Sequence, residues 1–154
     1  MYVVCPRIDD MQQDCDRITK LAPEARVISA HGRMPANELD QVMTRFADGD
    51  ADILLSTNIV ESGIDIPSAN TMIIHRADMF GLSQLYQLRG RVGRSRQRAY
   101  AYLTSDPQRL LSPTARRRLE VMQTLDTLGA GFTLASYDMD IRGAGNLLGD
   151  EQSG

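Results

Sequence analysis

The residues best suited to chemistry in this chain are Gln87-Leu88-Arg89-Gly90-Arg91-Val92-Gly93-Arg94, a run of the form Q-x-x-G-R-x-G-R. Glycines alternate with arginines, so bare backbone and several guanidinium groups converge on one place. A guanidinium is a planar fork that pairs with two phosphate oxygens at once, which an ammonium cannot do. Arg91 and Arg94 are three apart, and a helical turn would aim both into one cleft. Arginines delivered in this way stabilise charge on a phosphoryl group in flight, worth about 10³–10⁵ in rate in other enzymes. Gln87 stands beside them. The bland alternative is a solvated basic turn.

A second run lies upstream, Ser56-Thr57-Asn58-Ile59-Val60-Glu61-Ser62-Gly63-Ile64-Asp65-Ile66-Pro67. Thr57 follows an apolar segment, where its hydroxyl and nearby backbone N–H groups can hold a nucleic-acid phosphate. Gly63 permits a tight turn. Asp65 can accept a hydrogen bond from a ribose hydroxyl or hold an arginine. A loop capped by Thr and Asp would look much the same. His31-Gly32 ends another apolar segment; a lone histidine there is commonly structural.

Other chemistries find less support. The 154 residues contain no G-x-x-x-x-G-K-[ST] loop and no acidic pair placed after a strand to hold magnesium. The phosphate-cradling half of a nucleotide site must therefore come from elsewhere. Cys5 and Cys15 have no metal-ligand spacing and read as reduced thiols of a cytosolic protein. Nothing brings Cys5 to His31 or His75, so a covalent nucleophile is set aside. No apolar run is long enough to span a membrane, and no signal peptide is present.

A net charge of −3 does not suit a stand-alone nucleic-acid binder. The charge is unevenly spread, however. Arg89, Arg91, Arg94, Arg96 and Arg98 are clustered, Arg116, Arg117 and Arg118 follow, and acids gather at Asp9, Asp10, Asp14 and Asp16.

The elements that position these residues alternate in period. Tyr2 to Cys5, Val27 to Ala30, Ile53 to Leu55, Thr71 to His75 and Tyr100 to Leu103 read as strands. Ile8, Met11, Cys15 and Ile18 share one helical face, ended by Pro23. Leu39, Val42, Met43 and Phe46 form a stripe between Pro35, in the first turn, and Gly49. Gly81 to Arg89 is a further helix. Such alternation predicts an α/β fold with a parallel sheet covered on both faces, and a ligand beyond the carboxyl ends of the strands. Val3, Val4, Val27, Ile28, Leu54, Leu55, Ile73 and Ile74 are the expected core.

The pattern changes over residues 109–154. Ser112-Pro113 opens a helix with Ala115, Leu119, Met122, Leu125 and Leu128 on one face. Gly129-Ala130-Gly131 turns, and Phe132 to about Ile141 forms a second helix. A helical hairpin with an irregular tail is expected, set off from a lobe over residues 1–108. Both ends look cut, as in a piece of a larger protein.

Together the two motif runs resemble motifs V and VI of superfamily 2 helicases, on the second RecA-like lobe. Arg142-Gly143-Ala144-Gly145-Asn146-Leu147-Leu148-Gly149-Asp150-Glu151-Gln152-Ser153-Gly154 resembles the translocation motif of RecG-type fork-remodelling helicases and of the transcription-repair coupling factors. Arg-Gly-Ala-Gly at 142–145, Leu128 to Phe132 with Asp138-Met139-Asp140-Ile141, Cys5 to Asp10, and His31-Gly32-Arg33-Met34 are more similar to the coupling factors. The resemblance extends over essentially the whole chain.

It implies an ATP-driven double-stranded DNA translocase of the bacterial cytoplasm. Such a protein displaces stalled RNA polymerase and recruits excision-repair proteins. ATP and magnesium would be held mainly by a separate N-terminal RecA-like lobe, and this chain alone would be inactive. By resemblance, Arg91, Arg94 and Gln87 serve the ATP phosphates, and Gly63 and Asp65 line the nucleotide side. Thr57, His31 and Gly32 touch DNA, and Arg142 and Gln152 couple nucleotide state to movement. A RecG-type helicase would use the same residues on forked DNA. A non-enzymatic doubly wound binding module would need neither Arg91 nor Arg94, and no binding surface at the carboxyl edge of the sheet.

Overall fold

A computed structural model describes residues 1–58, 69–92 and 98–124. The order is β1 (Tyr2–Val4), α1 (Ile8–Leu21), β2 (Val27–Ala30), α2 (Ala36–Ala47), β3 (Ile53–Ser56), β4 (Thr71–Ile74), a 3₁₀ turn (Ala77–Met79), α3 (Leu82–Arg89), β5 (Tyr100–Leu103) and α4 (Pro113–Thr124). The strands form one sheet in the order β2-β3-β1-β4-β5, and all four pairings are parallel. The expected second hairpin helix, with Leu125, Leu128 and the glycine-containing tail, lies outside the described residues.

Side-chain alternation along each strand divides the core into two layers. Tyr2, Val4, Leu54, Met72 and Ile74 point to one face, where Met43 and Phe46 of α2, Leu82, Leu85 and Leu88 of α3, and Val121 and Met122 of α4 cover them. Val3, Ile53, Leu55 and Ile73 point to the other face, against Ile8, Met11, Cys15 and Ile18 of α1. The helical stripes expected for α1 and α2 are the stripes that pack, and of the stripe expected for α4 the described members Ala115 and Met122 are buried and Leu119 partly so.

Three of the eight expected core residues are only half-buried: Val27, Ile28 and Ile73. The cause for Val27 and Ile28 is topological, since β2 is an edge strand. Ile73 lies on the α1 face beside β5, where Tyr100 and Tyr102 of β5 are also exposed and stack at 6.4 Å. Among the described residues α1 is the helix that covers this face, and it packs chiefly over β1 and β3.

Helix ends follow local chemistry. Pro113 occupies the first position of α4, where its missing N–H costs nothing, and Ser112 Oγ accepts the Ala115 N–H at 3.1 Å. Gln84 Oε1 accepts the Gly81 N–H at 2.9 Å at the start of α3. Pro35 stands just before α2 as its cap rather than inside its first turn. Gly49 closes the exit from α2 with a φ of 84°, a left-handed conformation that glycine adopts without strain.

Leu54 lies at the centre of the sheet, fully buried between β1 and β2. Leu54→Ala should cost roughly 2–5 kcal/mol, the usual result of deleting buried leucine atoms. Val27→Ala on the edge strand should cost about 1 kcal/mol. Urea unfolding of the two variants side by side measures the difference, and equal losses would contradict the strand order.

Candidate nucleotide and nucleic-acid site

Because all strands run the same way, their carboxyl ends share one edge of the sheet. The hydrogen-bond ladder continues one residue past the strands there. Thr57 N–H donates to Ala30 O at 3.3 Å, Cys5 N–H to Ser56 O at 2.8 Å, His75 N–H to Val4 O at 2.8 Å, and Thr104 N–H to Ile74 O at 3.0 Å. His31-Gly32, Thr57-Asn58, Cys5 and His75-Arg76 are thereby lined up in that order. Sequence spacing alone could not bring His31 and Thr57 together; the β2–β3 register does.

Thr57 is buried, and its N–H is committed to the sheet, which leaves the hydroxyl for other work. His31 is folded into a tight turn: its Nδ1 accepts the Arg33 N–H at 3.2 Å and its carbonyl accepts the Met34 N–H at 3.1 Å. The exposed Gly32 has nothing within 4 Å of where a Cβ would stand, so the chain's own packing does not require glycine there. Asn58 was not singled out by its spacing, yet its Oδ1 is buried without a hydrogen-bond partner.

Gln87 is exposed on α3, and Arg91 is half-buried just past the helix end, with its N–H donating to Leu88 O at 3.0 Å. Gly90 has helical dihedrals, and a Cβ there would meet only ordinary contacts at 3.5 Å. α3 packs on the face that carries Tyr2. The Tyr2 hydroxyl accepts a hydrogen bond from Ser56 Oγ at 2.9 Å, both groups being buried. Burial pushes the Tyr2 phenol above its ordinary range, opposed by the Ser56 hydrogen bond and by the Arg91 charge. Gly63, Asp65, Arg94, Arg142 and Gln152 lie outside the described residues.

The arginine cluster divides by role. Arg89 donates to Met122 O at 3.1 Å and lies over the Tyr86 ring, so it fastens α4 to α3. Arg118 donates to Asp78 O at 3.0 Å, fastening α4 to the 3₁₀ turn. Arg76, held in the left-handed region at φ 51°, grips Asp78 through Nε at 3.2 Å and Nη2 at 3.1 Å. Charge clustering in the sequence gives no sign of this division, because these bonds depend on packing.

Two further polar groups lie on the α1 side. Asp14 is buried, 3.6 Å from His75 Nε2, and its Oδ2 has no partner. Burial raises its carboxyl above the usual range against the pull of His75. Burial, with the nearby Asp14 and Asp10 charges, pushes the Cys5 thiol up to about 12. Cys5 therefore remains an uncharged thiol at neutral pH, unsuited to nucleophilic work. Among the described residues no group of three His, Cys, Asp or Glu side chains could hold a metal ion, and no helix is long and apolar enough to cross a membrane.

Residues 1–96 match the family model described as helicase conserved C-terminal domain, and the chain belongs to that family. Its sheet, with helices on both faces, is the RecA-like lobe of that family. The chain is 54% identical over 99% of its length to the transcription-repair-coupling factor of Rickettsia bellii, and 49% identical over 100% to that of Escherichia coli. It spans only 14% and 13% of those two relatives. Among solved structures it resembles RecG bound to a three-way DNA junction, with 41% identity, a TM-score of 0.72, and coverage of 89% of this chain and 18% of that one. The C-terminal domain of the DEAD-box protein Dbp5, at 17% identity and a TM-score of 0.58 over 80% of this chain and 67% of that one, shares the fold.

The Arg76–Asp78 pair generates a pH prediction. The hydrogen bonds from Arg76 hold the Asp78 carboxyl below its ordinary value of 3.8. A depressed carboxyl contributes stability that is present above the unfolded value and lost as pH falls through the folded one. Asp78→Asn should therefore cost about 1 kcal/mol at pH 7, a modest figure because solvent partly screens the pair. The difference from wild type should close as pH drops below 3.8. Thermal unfolding between pH 2.5 and 7 reads this, and a gap independent of pH would contradict it.

Proposed function

We propose that this chain is the second RecA-like lobe and the translocation element, a helical hairpin and loop, of an ATP-dependent double-stranded DNA translocase of the transcription-repair coupling type. Identity of about half over the whole chain to proteins of that name is the observation that carries this reading. Displacement of RNA polymerase and recruitment of excision-repair proteins would belong to the complete protein. A RecG-type helicase is the second reading, favoured by the 41% identity to RecG on a DNA junction.

ATP, held with magnesium chiefly by a partner lobe, would supply the phosphoryl group whose transfer drives movement. The residues of this chain fit the opposite wall of such a site. Arg91 stands past the end of α3, next to a glycine that no neighbour forces to be small. A guanidinium there, with Arg94 three residues on and Gln87 on the preceding turn, would act on charge developing at the phosphates. Gly63 and Asp65 would line the nucleotide side. Along the sheet edge the Thr57 hydroxyl, the turn of His31 and the open backbone of Gly32 would meet DNA phosphates. Arg142 and Gln152 would pass the nucleotide state to the DNA. The natural boundary between lobe and translocation element would fall near residue 108. The complete protein would work in the bacterial cytoplasm, and this chain by itself would turn over no ATP.

The test measures ATP turnover and DNA-triplex displacement side by side in the complete protein. Arg91→Ala or Arg94→Ala should lower kcat by about 10²-fold or more with little change in ATP affinity, since these groups act on the transition state. Arg91→Lys should recover little, because it keeps the charge and loses the fork. Arg142→Ala should retain much of the ATPase while triplex displacement fails. Full ATPase in both Arg91 and Arg94 variants would refute the assignment.

A further inference from the structure

Tyr100 and Tyr102 occupy alternate positions of β5, so their side chains leave the same face of the strand. Tyr100 is level with Thr71 and Tyr102 with Ile73, which places both on the α1 face of the sheet. Leu103 turns the other way and packs on the larger core cluster. Both rings stand largely in water, Tyr100 at 45% and Tyr102 at 54% exposure. Their planes differ by 12° and their centroids lie 6.4 Å apart. That spacing is close to the rise of two strand residues, about 6.6 Å, so the strand itself sets it. The exposed Arg98 adds a third planar group, its guanidinium carbon 5.9 Å from the Tyr100 ring centroid.

This is not how an edge strand is usually finished. Edges are guarded by charge, proline or a covering element, whereas β5 carries a row of flat side chains. A surface built to seat a protein segment would surround the rings with aliphatic side chains. Here the row is two amphipathic phenols and a cation, beside the half-buried Ile73. Such a row suits a partner that is both planar and anionic, which describes unpaired bases on a phosphate backbone. Sheets that bind single strands of RNA place a basic residue, a small one, an aromatic, a small one and a second aromatic along one strand, and stack bases on the rings. Arg98-Ala99-Tyr100-Ala101-Tyr102 has that order, with Ala99 where those sheets carry glycine.

We propose that Arg98, Tyr100 and Tyr102 form an auxiliary site for single-stranded nucleic acid. Two successive unpaired bases stack on the two tyrosines while Arg98 meets a backbone phosphate. The site is separate from the His31–Thr57 stretch, since β5 and β2 are opposite ends of the sheet, and it does not rest on the function proposed above. Stacking is tolerant of sequence, because every base has a π-face.

The experiment is photocrosslinking of the complete protein to short oligothymidylate and oligouridylate carrying 5-iodouracil bases, with the crosslinked residues mapped by mass spectrometry. Crosslink yield at Tyr100 or Tyr102, followed against oligonucleotide concentration, gives the Kd of this site alone. Both probes should crosslink to both tyrosines, since DNA and RNA share bases and phosphates; crosslinking by one probe only assigns the site to that nucleic acid. Tyr100→Ala should raise the Kd read at Tyr102 about tenfold, and Tyr102→Ala the Kd read at Tyr100. Tm should be nearly unchanged, because both side chains are exposed. Tyr100→Phe and Tyr102→Phe should stay within about twofold of wild type, because a phenyl face stacks as well. Arg98→Ala should weaken binding and reduce its salt dependence by about one counterion. Absence of crosslinks at both tyrosines in the wild type would overturn the site, as when another part of the complete protein covers β5. A Kd unmoved by both alanine variants would also overturn it, as would phenylalanine variants as weak as the alanine ones, which would make the hydroxyls the contact. Arg98→Ala equal to wild type in Kd and in salt dependence would refute the phosphate contact.

Discussion

Parallel register is the constraint on which the rest of this structure depends. The strands have only three or four residues, so each contributes little more than a direction and a place in the order. Hydrogen bonds then continue past the strand ends, from Thr57 to Ala30, from Cys5 to Ser56 and from His75 to Val4. Those bonds, rather than contacts among the candidate residues themselves, align His31, Gly32 and Thr57. A slip of one residue in β3 would turn Leu54 and Leu55 to opposite layers and carry Thr57 out of line. Burial of Leu54 and Leu55 therefore also fixes the register of the site.

The second organising feature is the division of arginines. Arg76, Arg89 and Arg118 donate to Asp78 and to backbone carbonyls, joining the turn after β4, α3 and α4 into one block. Guanidinium suits this work because its several fixed donors can satisfy carbonyl and carboxylate oxygens together. The block holds the end of α3 still. Arg91 follows directly, so its backbone leaves a helix anchored on one side by the sheet and on the other by α4.

Much of the fold was legible because the two periods are clean. Ile8, Met11, Cys15 and Ile18 on α1, and Leu39, Val42, Met43 and Phe46 on α2, repeat at helical spacing and pack as that spacing requires. The strand positions were legible from short apolar runs, but their order was not. Val27 and Ile28 read like Leu54 and Leu55, and only the sheet order shows that β2 is an edge. Among the candidate site residues, motif spacing picked out Gln87, Arg91 and Thr57. The Tyr2–Ser56 and Asp14–His75 contacts were not legible, since spacing along the chain does not show which strands and helices lie side by side. Those contacts join residues far apart in the chain, Tyr2 with Ser56 across 54 residues and Asp14 with His75.

A half-buried guanidinium at the edge of one lobe has a definite electrostatic character. Facing water, its attraction for a phosphate is weakened by the high dielectric, to about 1 kcal/mol at 4 Å. Opposed by a second surface that excludes water, the same charge at the same distance acts several times more strongly. The net charge of −3 points the same way: it gives no long-range attraction for nucleotide or DNA, so any attraction would come from local geometry. Strong action by Arg91 would thus be confined to the closed arrangement of two lobes. A charge effective only on closure favours that closure in turn, because the free energy linking the two is reciprocal. For such a residue, rigidity of the backbone behind it matters more than affinity, and the Arg89 and Arg118 bonds tie down the elements that precede it.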